Sequence, residues 1–371
     1  MNLMKTSKTL VGVVLCSTLL TACANSNSAN PFTRFEPAST ASQSLNNTSL
    51  WVSMSHSFVL NHQVNQPAVQ KQIAWLQTHQ RSLYALLQSS APYISYVYGQ
   101  AKQKGIPGEI ALLPIVESRF NPYATSPVGA TGLWQIMPKT APDLGLKSNK
   151  AYDGRRDIVA STHAALNYLN SLNQMFNNNW ELALASYNWG PGNIQKAVKK
   201  QKKWYQRASY WSLKMPAETQ GYVPKLLALA EVIQNPARYG ITLPNVTAQP
   251  KLASVKVPAQ VDLKQVAQAH GISIQTMQKL NPGYSKMATM VGAPNTLLVP
   301  IEKAQAVQDT APSLAANTLN TSAATDAVQV VPAADATIDS DTHTLVKAIL
   351  KQGQWLALGL ADLPNLNVAT V

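Results

Sequence analysis

Between residues 51 and 239 the apolar positions recur at spacings of three and four, the mark of helices that bury one face. Ile73, Leu76, Leu83, Leu86 and Leu87 outline one segment, and residues 94–104, 158–176, 180–188 and 224–235 outline others. Residues 106–119 (I-P-G-E-I-A-L-L-P-I-V-E-S-R) read as a helix entered at Pro107 and kinked at Pro114. No stretch here reads as an extended sheet, although residues 130–137 fit a short hairpin. Beyond Pro244 the pattern changes: residues 254–257 alternate as a strand, and Leu263, Val266 and Ala267 mark a short helix closed by Gly271. Ile274, Met277 and Leu280 mark a second helix, and residues 296–299 a second strand before Pro300. Residues 23–50 are rich in Asn, Ser, Thr and Ala and read as a flexible tether. Residues 304–342 carry aspartates as their only charges and are expected to be disordered. The pattern predicts a mainly α chain: a leader at 1–22, the tether, a helical domain at 51–244, a small α+β module at 251–302, a linker at 303–342 and a last segment at 343–371.

One residue breaks the helical pattern in an informative way. Ile110, Leu113, Pro114 and Glu117 fall on one stripe at helical spacing, so a face that should pack the core ends in an acid. Burying an ionised carboxylate without a partner costs several kcal/mol, by order of magnitude, and a raised pKa that keeps the group protonated avoids that cost. A protonated carboxyl in an apolar wall is a general acid. The plainer reading is a frayed helix end at which Glu117 pairs with Arg119.

Further motifs lie downstream. Glu117-Ser118, Gly132-Leu133-Trp134-Gln135, Tyr187-Asn188-x-Gly190 and Glu218-Thr219-x-x-Tyr222-Val223 occur in that order. Together they resemble the signatures of the goose-lysozyme-like lytic transglycosylases. L-L-P-I-V-E-S-R-F-N-P and Y-D-G-R-R-D-I-V-A-S-T resemble the membrane-bound D type in particular. Any one short motif is weak; the ordered set is not. The chain departs from the family at Ser186, where Ala is usual, and at Pro191, where many members carry Glu. The 251–302 module resembles a LysM module without its opening Gly-Asp-Thr-Leu, and His343-Thr344-Leu345-Val346 resembles the first strand of another, truncated one. A packing role against the helical domain competes with glycan binding for the module.

The resemblance implies a lysozyme-like (SLT) helical fold and cleavage of the peptidoglycan bond between N-acetylmuramic acid and N-acetylglucosamine. Glu117 would be the acid and then the base, and a 1,6-anhydro end the product. It also implies that Ser118 and Tyr222 orient the carboxyl, that Gln135 and Asn188 contact acetamido groups and hydroxyls, and that Tyr187, Trp134 and Trp189 form an aromatic wall, although each of the three could equally be plain core. Glycosidases usually pair two carboxylates. No acid occurs between Glu117 and Asp143, and Asp153, Asp157 and Glu181 are the remaining candidates. Asp153 and Asp157, beside Arg155 and Arg156, read as structural ion pairs. Hydrolysis by a muramidase on the same fold and non-catalytic wall binding are the competing readings. No metal-ligand or phosphate-loop pattern occurs and the six histidines are scattered, so no metal or cofactor is implied.

The ends of the chain bear on location. Lys5 and Lys8 precede an uncharged, mostly apolar run from Thr9 to Ala22, too short to span a bilayer, which reads as a secretory leader. It ends in Leu20-Thr21-Ala22-Cys23, which resembles a bacterial lipoprotein box with Cys23 as the lipidated residue. Ala24, in place of Asp, resembles the sorted lipoproteins, and that resemblance implies the periplasmic face of the outer membrane. With Cys16 lost in the leader, no disulfide is available. A net charge of +13 suits a polyanion. Export argues for anionic peptidoglycan strands and against nucleic acid. The basic run at residues 196–207 could line a groove with Trp204 and Tyr205, or be a solvated helix face.

Overall fold

The structure is a computed structural model that describes residues 49–201 and 208–325. The leader, Cys23, the tether up to residue 48, Trp204 with Tyr205, and residues 326–371 lie outside the described residues.

The helical domain is closed by its own two ends. The Leu50 amide donates to the Val246 carbonyl (2.7 Å) and Trp51 Nε1 to the Pro244 carbonyl (2.8 Å), which fixes helix α1 (Leu50–Ser55). Helix α2 (Pro67–Thr78) and helix α3 (Gln80–Gln103) meet at His79, whose φ of −116° and ψ of 36° break the run. The apolar pattern ran one segment from Ile73 to Leu87 and began another at 94, yet the break lies at His79 and α3 runs on through Pro92. Leu83, Leu87, Ile94, Val97 and Ala101 are all buried on one continuous stripe, and that packing outweighs the roughly 3 kcal/mol an interior proline costs.

A 3₁₀ turn (Gly108–Leu112) leads into helix α4 (Leu113–Ser118). Pro114 therefore sits in the first turn of α4, where its missing N–H has no intrahelical acceptor to lose, and kinks nothing. Residues 125–136 form a tight loop with isolated bridges Thr125 to Thr131 and Thr131 to Ile136, in place of a regular hairpin. Helix α5 (Ile158–Met175) is capped by Asp157, and helix α6 (Trp180–Trp189) by Asn179. Helix α6 is the central element, with Leu182, Ala183, Leu184 and Ala185 fully buried among α5, helix α7 (Pro191–Lys200) and helix α8 (Ala217–Gln234). Helix α8 starts well before Pro224, which the sequence took as its beginning. Pro224 cannot donate to the Gln220 carbonyl, and Tyr210 Oη donates there instead (2.7 Å).

The second unit follows the strand, helix, helix, strand order. Strand β1 (Leu252–Lys256) pairs antiparallel with β2 (Thr296–Pro300), with Val255 opposite Leu297. Helices α9 (Leu263–Ala269) and α10 (Ile274–Leu280) lie between them in sequence. Helix α11 (Ala304–Thr325) then occupies part of the linker for which disorder was expected. Composition hid the reason: Val307, Ala311 and Ala315, spaced four apart, are buried in the module's core.

The module is packed on the helical domain. Tyr152 of the helical domain is buried in the module's core, its ring 4.9 Å from that of Tyr284. Main-chain bonds run from Asp153 N to Gly283 O (2.9 Å) and from Ser285 N to Ala151 O (3.0 Å). Gly283 is needed for this approach, because a Cβ there would lie 2.8 Å from Asp157 Cβ. Leu280 and Leu298 in turn join the larger core. The architecture is mainly helical with a small α+β module.

Candidate active site

Helix α4 is short because Arg119 and Phe120 turn left-handed (φ 57° and 58°) and stop it. Phe120 N bonds back to the Pro114 carbonyl (3.0 Å), and the buried Phe120 ring anchors the exit. Glu117 thus occupies the last turn of a helix whose residues Leu113, Pro114 and Ile115 are core, and it is itself only partly exposed. Burial pushes its carboxyl up to about 7, against the lowering effect of a hydrogen bond donated by Tyr222 Oη; Glu218 pushes it further up and Lys225 pulls it down. Arg119 is exposed and takes no part, which removes the frayed ion-pair reading.

The two phenols nearest this acid stay protonated. Burial, reinforced by the Glu117 charge, raises Tyr222 and Tyr187 far above the usual phenol range, so each acts only as a donor near neutral pH. Tyr222 Oη donates a hydrogen bond to Glu117, and Tyr187 Oη donates one to the Trp134 carbonyl (2.7 Å). Ser118 does not reach the carboxyl; its Oγ donates to the Leu133 carbonyl (2.8 Å), with the Pro114 carbonyl at 3.2 Å. Ser118 and Tyr187 therefore pin the 132–135 loop from two helices. Trp134 is core, fully buried, with Nε1 donating to Thr162 Oγ1 (3.0 Å). Gly132 is obligatory: its φ is 85° and a Cβ would fall 1.9 Å from the Arg155 carbonyl oxygen.

The two amides expected on substrate are held by the protein. Gln135 (φ 47°) donates through Nε2 to the Gly132 carbonyl (2.9 Å) and the Ala124 carbonyl (3.3 Å). Asn188 accepts from Thr219 Oγ1 (2.7 Å) and donates to Glu218 Oε1 (3.3 Å). Trp189 is partly buried against the core.

None of the three sequence candidates for a second carboxylate is among the groups that act on Glu117. Asp153 is in an ion pair with Arg155 (2.8 Å) and sits below its ordinary pKa. Asp157 is no ion pair: it accepts from Ala160 N (2.8 Å) and Tyr152 Oη (3.0 Å), and burial raises it to about 6. Arg156 donates instead to the Tyr123 carbonyl (2.8 Å) and Thr125 Oγ1 (2.9 Å). Glu181 accepts from Trp211 Nε1 (3.1 Å). The carboxylate that does act on Glu117 is Glu218, to which the sequence reading gave no role. The signal was present: Glu218 and Tyr222 are four apart on α8, so a helix that presents one to Glu117 presents both.

Residues 96–209 match the family model described as transglycosylase SLT domain, and residues 251–316 match the LysM-like domain of lytic transglycosylase MltD. The chain is 42% identical over 218 residues to the membrane-bound lytic murein transglycosylase D of Escherichia coli (strain K12), covering 59% of this chain and 48% of that protein. It is also 31% identical over 172 residues to a protein of Alteromonas sp. (strain M-1) described as a tributyltin chloride resistance protein, covering 46% of this chain and 81% of that one. The chain belongs to the SLT transglycosylase family. Within the SLT domain similarity extends to the soluble lytic murein transglycosylase of Escherichia coli (strain K12), 33% identical over 116 residues, which are 30% of this chain and 18% of that protein. The SLT match contains Glu117, Gln135, Tyr187 and Asn188, whereas Glu218 and Tyr222 lie beyond its end on α8.

Proposed function

We propose that the chain is a lytic transglycosylase that cleaves the β-1,4 bond between N-acetylmuramic acid and N-acetylglucosamine in peptidoglycan. The supporting observation is Glu117: a carboxyl raised to about 7, with a phenol donating to it and no ion pair among the described residues. Such a group is partly protonated at neutral pH and exchanges a proton at little cost in either direction. In the forward step Glu117 gives its proton to the glycosidic oxygen, the C1–O bond breaks, and the glucosamine leaves with a 4-hydroxyl. The muramoyl N-acetyl group helps stabilise the cationic C1. Glu117, now ionised and stabilised by Tyr222 Oη, takes the proton of the muramoyl C6 hydroxyl as O6 bonds to C1. Ring closure yields the 1,6-anhydro end and restores the acid. Tyr187 and Ser118 hold the 132–135 loop that walls the site, and Gln135 and Asn188 turn to acetamido groups or hydroxyls when a strand displaces their internal bonds.

Glu218 favours a second reading, a hydrolytic muramidase in which this carboxylate directs a water. Its placement speaks against that role, since it is exposed, hydrogen-bonded by Asn188 and on the same helical face as Tyr222. Mass spectrometry of fragments released from purified sacculi separates the two: the transglycosylase product is one water lighter than the hydrolysed one.

For location, we read Cys23 as a lipid anchor holding the chain on the periplasmic face of the outer membrane. The sequence of residues 20–23 and the membrane-bound character named for the Escherichia coli relative support this reading. Among the described residues no helix is long and apolar enough to cross a membrane. Cys23→Ser should move the protein from the membrane to the soluble fraction, and continued sedimentation with membranes would overturn the anchor.

A further inference from the structure

A second concave site lies away from Glu117. An open pocket of about 550 Å³ is formed by residues 59–63, the turn between α5 and α6, and α8. It shares no lining residue with the Glu117 cluster, and Glu181 in the first turn of α6 is roughly 10 Å along the helix axis from Asn188 in the last. Its volume falls within the common range of small-ligand sites.

The lining is rich in side-chain amides. Asn61, Gln63, Asn177 and Asn178 bring side-chain amides, Trp180 an indole and Glu181 a carboxyl, over apolar Leu184 and Leu227. An amide offers donors and an acceptor together, as a sugar hydroxyl or an acetamido group requires. The Asn177 side chain and the amide nitrogens of Asn61 and Asn178 make no hydrogen bond among the described residues. The amides are also fixed in place: Asn177 and Asn178 are left-handed (φ 55° and 62°), and Asn178 is tied to Asn173 through main chain (2.8 Å) and side chain (3.3 Å). Asn is the residue type that best tolerates this backbone, and Asn61 Oδ1 accepts from the Gln63 main-chain N–H (2.9 Å), so the local fold uses these asparagines in turns while their amide nitrogens make no hydrogen bond among the described residues. Glu181 is held by Trp211 Nε1 and lies against the Gln63 amide, which leaves a carboxyl able to accept from a hydroxyl. No Lys or Arg among the described residues lines the pocket, so phosphate or carboxylate ligands have no counter-charge there.

We propose that this pocket binds a neutral N-acetylated saccharide, with the sugar's apolar face against Trp180 and its hydroxyls and acetamido group on the amides. The site would hold a stretch of glycan apart from the bond at Glu117, and it stands whether or not Glu117 performs the chemistry proposed above.

The test uses the full chain carrying Glu117→Gln, labelled with 15N, titrated with N,N′-diacetylchitobiose and followed through the tryptophan indole signals. Trp180 and Trp211, which bracket Glu181, should shift saturably. Asn61→Lys, at the exposed mouth, should weaken that response by roughly tenfold, the equivalent of about 1.4 kcal/mol, while leaving the response of Trp189 in place. Cellobiose, which lacks acetamido groups, should act more weakly. Unmoved Trp180 and Trp211 signals at millimolar saccharide would overturn the proposal, as would an equal response to cellobiose or a response only to a stem-type tetrapeptide. The titration without Asn61→Lys decides the matter even if that variant does not fold. Failure to find anhydro products from sacculi would strike the reading of Glu117 and leave these signals untouched.

Discussion

Glu109 and Glu117 stand eight residues apart in one run of chain, both at the edge of the same core, yet they are given different company. Glu109 is fully buried and receives the Leu60 amide (2.8 Å) with His62 Nε2 at 3.5 Å; His62 Nδ1 in turn meets Glu231 at 2.9 Å. Burial would lower the His62 pKa, but the hydrogen bonds and charges of Glu109 and Glu231 outweigh it and raise the imidazole. Burial would raise Glu231, and His62 with Tyr239 outweighs that and lowers it. Glu117 has phenols and a second acid for neighbours, so burial wins and the carboxyl rises to about 7. Burial alone does not decide whether an acid is held as an ion, as Glu231 is beside His62, or kept as a proton carrier, as Glu117 is. The nearest partner does.

The largest effect expected from breaking this contrast is on turnover. Glu117→Gln keeps the shape and removes the proton, and release of fragments from sacculi should fall by roughly 10³-fold. Next comes stability. His62→Ala leaves two acids without their cation, and urea unfolding should show a loss of about 3–5 kcal/mol. The stability from His62 is whole below its ordinary 6.5 and fades as pH rises through its raised value. That from Glu231 is whole above its ordinary 4.5 and fades as pH falls through its lowered value. The triad therefore contributes most between those two ordinary values, and His62→Ala should flatten the pH profile of unfolding on the alkaline side.

Glu117 has the opposite sign. Its folded pKa exceeds its ordinary 4.5, so it costs stability as pH rises from 4.5 through about 7. Glu117→Gln should accordingly raise the unfolding free energy at pH 7 by on the order of 3 kcal/mol and change little at pH 4, measured by urea titration at both values. The smallest effects sharpen the contrast. Tyr222→Phe removes the donor that lowers the Glu117 pKa, so the alkaline limb of the rate profile should move up, with a rate loss of roughly tenfold from the misplaced carboxyl. Glu218→Gln removes a charge that raises it, so the same limb should move down, with turnover changed by only about twofold.

Much of this was legible in the sequence where a local signal and packing agree. Helices α5 and α6 begin at side-chain caps, Asp157 and Asn179, and their buried faces follow the apolar spacing. Glu117 was visible because it stood on an apolar stripe. What was missed depends on partners distant in sequence. Helices α3 and α8 pass through Pro92 and Pro224, and no local rule shows that Tyr210 takes up the freed carbonyl of Gln220. Helix α11 was hidden by composition, since one valine and two alanines at every fourth residue, Val307, Ala311 and Ala315, suffice to pack it. Ser118 looked like a partner of the acid and proved to be a tie to Leu133. The triad was beyond reach, because His62 and Glu231 are 169 residues apart and nothing local marks His62 among scattered histidines. The packing of the module through Tyr152 was likewise invisible; deleting residues 251–371 should therefore strip cover from the helical domain and lower its melting temperature.

The most direct measurement is the titration of the Glu117 carboxyl itself, read by carbon NMR on glutamate-labelled protein with Glu117→Gln to assign the signal. The account requires a midpoint near 7, shifted down in Glu218→Gln and up in Tyr222→Phe. A midpoint at the ordinary 4.5, unmoved by either substitution, would contradict it.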